Sequence, residues 1–296
     1  MSGRESPAIR CHDDIDLFRE AVNFTAAQTA FAARLIEKDY FCSVLLDYLA
    51  VTDGSLVFKG GTCLTKVYAG FYRLSEDLDF AISTAVDASR SERRRRADGV
   101  KTAVAALPAA VPCFRVAEPV TGANNSTQYV GVVAYASLLN RQEETIRIEV
   151  GLREPLLTPL ESGSAGTILL DPVSHKPMVA PIRPGCMSKA EALSEKFRAA
   201  LSRREVAIRD FYDIDYAVRK LGLQPQDEKM VRLVGKKLDV PGNDPVDVSK
   251  ERLAALRQQL EPQLKTVLRE GDFREFDLDR AFRVVAQMAK RLGEHR

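Results

Sequence analysis

Two aspartates stand two residues apart in the segment Ser75-Glu76-Asp77-Leu78-Asp79-Phe80. In an extended strand successive side chains alternate faces, so both carboxylates project to one side while Leu78, Phe80 and Ile82 project into a core. Carboxylates held side by side repel each other unless a cation lies between them. Mg2+ is the natural occupant, because it takes hard oxygen ligands, keeps several waters, and is usually held by one or two protein carboxylates together with substrate phosphates. A third acid is available in Thr145-Ile146-Arg147-Ile148-Glu149-Val150, where Arg147 and Glu149 share one face of a strand. Glu149 could join Asp77 and Asp79 as a metal ligand and help activate an attacking hydroxyl. The same two residues also read as an ordinary ion pair on a solvated face.

A phosphate-binding element precedes the acids. Gly60 and Gly61 permit close backbone approach, and a helix starting there presents unpaired N–H groups and its positive dipole end to an anion such as a triphosphate. Lys66 and Arg73, between the glycines and the aspartates, are candidate phosphate contacts. The elements that must hold these groups follow from local pattern. Leu56-Val57-Phe58 predicts a buried strand ending at Gly60-Gly61; Thr62 predicts the cap of a helix running to about Gly70; residues 77–82 predict a second strand. The first 50 residues predict two packing helices, the clearer over residues 25–50, and residues 89–101, with Arg90 and Arg93 to Arg96, predict a helix with a charged face that is either a solvated surface or an RNA or triphosphate contact. Residues 128–139 and 145–152 read as two more strands. The Gly, Ser and Pro content of residues 161–187 predicts a connecting loop between a lobe over 1–160 and a second over 188–296. The second lobe opens on the capping box Ser188/Glu191 and is helical by periodicity, with breaks near Gly222 and Pro241-Gly242.

Composition excludes several alternatives. The five cysteines are scattered without a Cys-x-x-Cys pair, and three histidines are too few for a histidine-rich metal centre, so carboxylates must carry the chemistry. No apolar run approaches the roughly 20 residues needed to cross a bilayer, and the start, Met-Ser-Gly-Arg-Glu-Ser-Pro, has no signal-like apolar stretch, which predicts a cytoplasmic protein without membrane contact. Residues 188–296 hold 23 Lys/Arg against 19 Asp/Glu, and the rest of the chain 20 against 22. This balance is too even for a dedicated nucleic-acid-binding domain, so polyanion binding would rest on a local patch.

The string Lys59-Gly60-Gly61-Thr62-Cys63-Leu64 followed by Tyr72-Arg73-Leu74-Ser75-Glu76-Asp77-Leu78-Asp79-Phe80 resembles the signature of the AbiEii/AbiGii-type nucleotidyltransferase toxins, which include the MenT group. Glu195-Lys196-Phe197-Arg198-Ala199 and Arg209-Asp210-Phe211-Tyr212-Asp213-Ile214 match the family's later motifs, so the resemblance touches residues 56–216. It implies an α/β (α+β) protein of two lobes, an N-terminal nucleotidyltransferase-fold lobe with a mixed sheet and a C-terminal helical lobe, with the active site in the cleft between them. It further implies catalytic roles for Asp77, Asp79, Lys196 and Asp213, and nucleotide contacts from Gly60, Gly61, Thr62, Lys66, Ser75, Lys196 and Asp210. The implied reaction transfers NMP from an NTP to an RNA acceptor, the tRNA 3′ end, blocking translation; the implied partner is a cognate antitoxin of kinase-like or winged-helix type. Ser75, two residues before Asp77, is a candidate regulatory phosphorylation site, since a phosphate there would compete with the triphosphate for the cation. A small-molecule nucleotidyltransferase and a non-catalytic nucleotide sensor of the same fold are the alternatives.

Overall fold

The computed structural model describes residues 9–294, and the opening Met-Ser-Gly-Arg-Glu-Ser-Pro lies outside them. Two compact units emerge: residues up to Pro155 with Leu160–Cys186 form the first, and Leu156–Pro159 with the chain from Met187 form the second.

The first unit begins with helices α1 (Ile15–Thr29) and α2 (Ala33–Thr52). The sequence predicts two helical stretches here, and only the boundary differs: the break falls at residues 30–32, inside the stretch 25–50 that reads as continuous. Asp14 caps α1 by accepting from the Leu17 amide, and Ala30 ends it at φ 60° with its N–H on the Ala26 carbonyl, a left-handed C-cap without the usual glycine. Helix α2 is buried on nearly all sides, which explains its apolar run Val44-Leu45-Leu46. Strand β1 (Val57–Lys59) leads directly into α3 (Gly60–Cys63), which continues in wider π-type turns over Leu64–Tyr68. Then come β2 (Leu78–Ala81), α4 (Arg90–Arg96), α5 (Asp98–Ala110), β3 (Phe114–Ala123), β4 (Gln128–Ala136) and β5 (Glu143–Gly151).

Strand β3 has no counterpart in the sequence reading. It is an edge strand, mostly exposed, carries Pro119 and breaks register between Val116 and Thr121, so its apolar alternation is erased. The stretch predicted as a connecting loop instead supplies β6 (Glu161–Ser162) and β7 (Gly185–Cys186), which pair with each other, and β7 runs parallel beside β1. The seven strands form one mixed sheet in the order β3-β4-β5-β2-β1-β7-β6. Strand β2 lies centrally, antiparallel to β1 and parallel to β5. Phe58, Phe80, Ile148 and Val150 fill the core on one face of this centre, with Phe41 of α2 stacked on Tyr135 at 4.0 Å.

The second unit is helical: α6 (Lys189–Ser202), α7 (Ile208–Lys220), α8 (Glu228–Leu238), α9 (Lys250–Gln259), α10 (Glu270–Glu275) and α11 (Leu278–Glu294). Ser188 caps α6 by accepting from the Glu191 amide, as the capping box predicts. The Glu191 carboxylate turns elsewhere. It accepts from the Leu157 and Thr158 amides and pairs with Lys237 at 2.7 Å, while Glu195 meets the same lysine at 3.3 Å. Among the described residues no helix is long and apolar enough to cross a membrane.

Lys237 is fully buried, so removing its charge strands Glu191 without a counterion. Lys237→Met should therefore lower the stability of the second unit by about 3–5 kcal/mol. Urea denaturation followed by near-UV absorbance of Tyr212 and Tyr216 against a wild-type control checks this; an unchanged midpoint would show that the pair is not structural.

Candidate active site

The acids gather where β2 begins. Leu78 and Phe80 are buried and Asp79 faces the opposite side of the sheet, as alternation requires. Asp77 immediately precedes the strand instead of lying within it, and its Oδ1 accepts from the Arg147 amide at 3.4 Å. Burial pushes the Asp77 carboxyl above its usual range, and the Arg147 N–H together with the nearby charge of Lys38 pulls it partly back. Lys38 and Arg34 of α2 also hold the neighbouring Glu76, at 3.3 and 2.8 Å.

In register, Asp79 lies opposite Lys59 of β1 on one side and Glu149 of β5 on the other. The Lys59 ammonium stands 4.0 Å from where a Cβ on Gly151 would lie, so this side chain crosses β2 over the face that carries Asp79 and Glu149. Sequence reasoning treats Lys59 only as part of a motif; the two-strand register is what makes it a neighbour of the acids. Glu149, expected as a third metal ligand, lies beside Asp79 on the neighbouring strand. Its carboxylate pairs with Arg147 at 2.7 Å, and among the described residues no three His, Cys, Asp or Glu side chains are gathered to hold a metal. Asp77 and Asp79 alone still suit Mg2+: two oxygen donors, one of them desolvated and so short of compensating charge, leave the remaining positions to water and phosphate.

The paired glycines are required by contact as well as by conformation. Gly60 has φ +75°, and a Cβ there would collide with the Asp79 carboxylate. A Cβ on Gly61 would strike the Arg73 guanidinium and would come within 3.4 Å of Ser75 Oγ. Helix α3 starts at Gly60, two residues before the cap the sequence predicts, and no side chain caps it. Thr62 is inside the helix and its hydroxyl donates to the Asp77 carbonyl, so it fastens the helix to the start of β2 in place of capping or meeting a phosphate. Arg73 is buried, donates to the Leu74 carbonyl at 3.2 Å and lies over the Tyr72 ring.

Lys66 departs most from its predicted role as a nucleotide contact. Its side chain is fully buried, with the ammonium 2.6 Å from Asp39 Oδ1, 2.8 Å from Ser43 Oγ and 3.4 Å from the Gly166 carbonyl. Asp39 in turn accepts from the Thr167 hydroxyl and the Ile168 amide. The charge of Lys66 is thus consumed in bracing the turns after α3 against α2 and the 166–168 segment.

In the second unit, Lys196 on α6 reaches Asp210 at 2.8 Å and Asp213 at 2.9 Å on α7, and Arg203 approaches Asp210 at 3.7 Å. Asp213 is fully buried and Asp210 nearly so, with Asp210 Oδ2 lacking a hydrogen bond among the described residues. The spacing of three between the aspartates places both on one helix face, as the sequence suggests.

The family model described as nucleotidyl transferase AbiEii toxin, type IV TA system, matches residues 44–288. No curated protein matches the chain. Among solved structures, MenT4, a nucleotidyltransferase toxin from Mycobacterium tuberculosis H37Rv, is similar with a TM-score of 0.53 and 20% identity, over 93% of this chain and 98% of that one. JHP933 from Helicobacter pylori is similar with a TM-score of 0.50 and 16% identity, over 90% of this chain and 96% of that one. At these identities the likeness is one of fold, the nucleotidyltransferase fold.

The buried pair predicts its own double-mutant behaviour. Lys66→Met alone leaves Asp39 charged and unpaired and should cost about 3–5 kcal/mol, whereas Lys66→Met with Asp39→Leu should cost less than the sum of the single losses, what remains coming from the Thr167 and Ile168 donors left without their acceptor. Thermal unfolding of the four proteins in the cycle measures it; additive losses would mean the two side chains act independently.

Proposed function

The chain belongs to the AbiEii nucleotidyltransferase toxin family, and from that premise we propose that it transfers a nucleoside monophosphate from a nucleoside triphosphate to the 3′ end of tRNA. One contact carries this reading: Asp79 lies directly against Gly60, so the carboxylate pair and the helix start suited to phosphate form a single constellation.

The acceptor's 3′ hydroxyl oxygen forms a bond to the α-phosphorus as the bond from that phosphorus to the pyrophosphate oxygen breaks; the hydroxyl proton is released and pyrophosphate leaves. No covalent intermediate on the protein is needed. Asp77 and Asp79 would hold Mg2+, which when bound supplies neutralisation of the charge on the transferring phosphate. Gly60 and Gly61 offer the α3 amides to the triphosphate. In the second unit Lys196, its ammonium fixed by Asp210 and Asp213, is a candidate phosphate contact. Lys59 balances the acid face from β1, and Glu149 stays with Arg147. A tRNA whose 3′ end is extended cannot be aminoacylated, and growth stops. Such a toxin acts in the cytoplasm beside an antitoxin of kinase-like or winged-helix type. Ser75 suits control by phosphorylation because its hydroxyl lies against Gly61, where a phosphate would occupy the triphosphate's place.

Incubation with labelled triphosphates, Mg2+ and total tRNA should place label on tRNA. Label on an aminoglycoside in place of RNA, or bound triphosphate without transfer, would overturn the assignment. Asp77→Ala should lower the transfer rate by on the order of 10²–10³, in the range seen when one group that stabilises transition-state charge is removed, and abolish toxicity on expression; a fully toxic variant would rule out the metal role.

A further inference from the structure

We propose that the outer face of α4 is a docking surface for the phosphate backbone of the RNA acceptor, well removed from the reacting hydroxyl; this rests on the transfer reading above and adds to it where the body of the acceptor lies. Helix α4 holds five arginines and one glutamate in seven residues. It sits on a part of the chain, residues 1–187, that otherwise carries more Asp/Glu than Lys/Arg. Positive charge is therefore concentrated on this helix and not spread over the unit.

The five arginines divide by role. Arg93 is buried and works as an anchor: its Nε donates to the Leu152 carbonyl at 3.2 Å and an Nη to the Val86 carbonyl at 2.7 Å, fixing the helix at the end of β5. Arg96 forms a two-nitrogen pair with Glu92, at 3.1 and 2.8 Å. Arg90, Arg94 and Arg95 are exposed, and among the described residues their side chains make no ion pair or hydrogen bond. Arg90 and Arg94, four apart on the helix, repel each other, so this arrangement weakens the free protein and gains its return only when anions arrive. Arginine's planar fork matches phosphate oxygens two at a time, which a lysine run would not do.

Position selects the kind of anion. Leu152 lies three residues beyond Glu149 on β5, or about 10 Å along a strand. By helical spacing Arg90, Arg94 and Arg95 lie about 60°, 100° and 200° from the anchored Arg93 around a helix about 10 Å across, so Arg95 is nearest its far side. The distance from the acid pair is thus on the order of 15–20 Å, too far for the triphosphate being consumed. A polynucleotide, with one phosphate per nucleotide, covers that length within a short stretch of its backbone. The occupant is therefore a polynucleotide whose end reacts and whose backbone runs back over α4.

The test compares wild type, Arg90→Glu/Arg94→Glu/Arg95→Glu and the milder Arg90→Gln/Arg94→Gln/Arg95→Gln, all full length. Each is assayed with full-length tRNA and with a four-nucleotide RNA of the same 3′ sequence. Filter binding of tRNA without triphosphate, across a range of salt, is measured alongside. Charge reversal should raise KM for tRNA at least tenfold and flatten the salt dependence of binding by about 0.7–0.9 for each phosphate that the helix no longer neutralises. Transfer to the four-nucleotide RNA should stay within twofold, and the glutamine variant should fall between. Unchanged tRNA binding and an unchanged salt slope in both variants would overturn the proposal. The same holds if tRNA binding persists while the variants release a bound antitoxin, since the face would then serve an acidic protein. Should wild type label no RNA, the transfer reading falls, and the triphosphate-free binding comparison still decides the role of α4.

Discussion

The absence of one methyl group governs the first unit's site. Because Gly60 has no Cβ, β1 can end within contact of the Asp79 carboxylate and the chain can turn at φ +75° straight into a helix. Every other feature of the site follows from that approach. The β1–β2 register sets Lys59 against Asp79, the β2–β5 register sets Asp79 against Glu149, and the Thr62 hydroxyl holds α3 to the Asp77 carbonyl. A side chain at Gly60 would separate the amides from the acids, and neither group alone distinguishes phosphate chemistry from an ordinary turn or an ordinary surface carboxylate.

Each unit also holds buried charge of its own. In the first, Lys66 with Asp39 braces the wide turns after α3 and Lys38, with the exposed Arg34, engages Glu76 beside Asp77. In the second, Lys237 joins Glu191 and Glu195. Buried pairs of this kind gain little net stability over apolar packing, but a broken one costs much. They act as register pins: a shift of one residue in α2 or α6 would leave a charge without its partner.

Much of the site was legible in the sequence because it depends on short spacings. The alternation at Asp77 to Ile82, the Gly-Gly turn, the Ser188 cap and the Asp210/Asp213 face are set within a few residues, and local geometry preserves them. Residues whose roles depend on distant partners were not legible. Lys66 has the type and position of a phosphate ligand, yet Asp39 and Ser43, more than twenty residues upstream, take its charge. Glu149 reads as a third acid, and only the structure adds that its carboxylate also meets Arg147. Edge strand β3 escapes because only Phe114 and Val120 along it are buried and the register breaks between them, which removes the pattern that marks a strand, and the Ala30 break escapes because alanine gives no sign of a left-handed turn.

The division of the chain has a consequence for how such a protein can arise and be dissected. The backbone passes from one unit to the other three times, after Pro155, Pro159 and Cys186, and not once. The four residues Leu156–Pro159 give two amides to Glu191, so a fragment ending at Cys186 would carry those donors away from their acceptor. Neither unit is a detachable module. Gene fission, domain shuffling or expression of either half alone would break a hydrogen-bonded segment and not merely a tether, and the two units must be inherited, and lost, together.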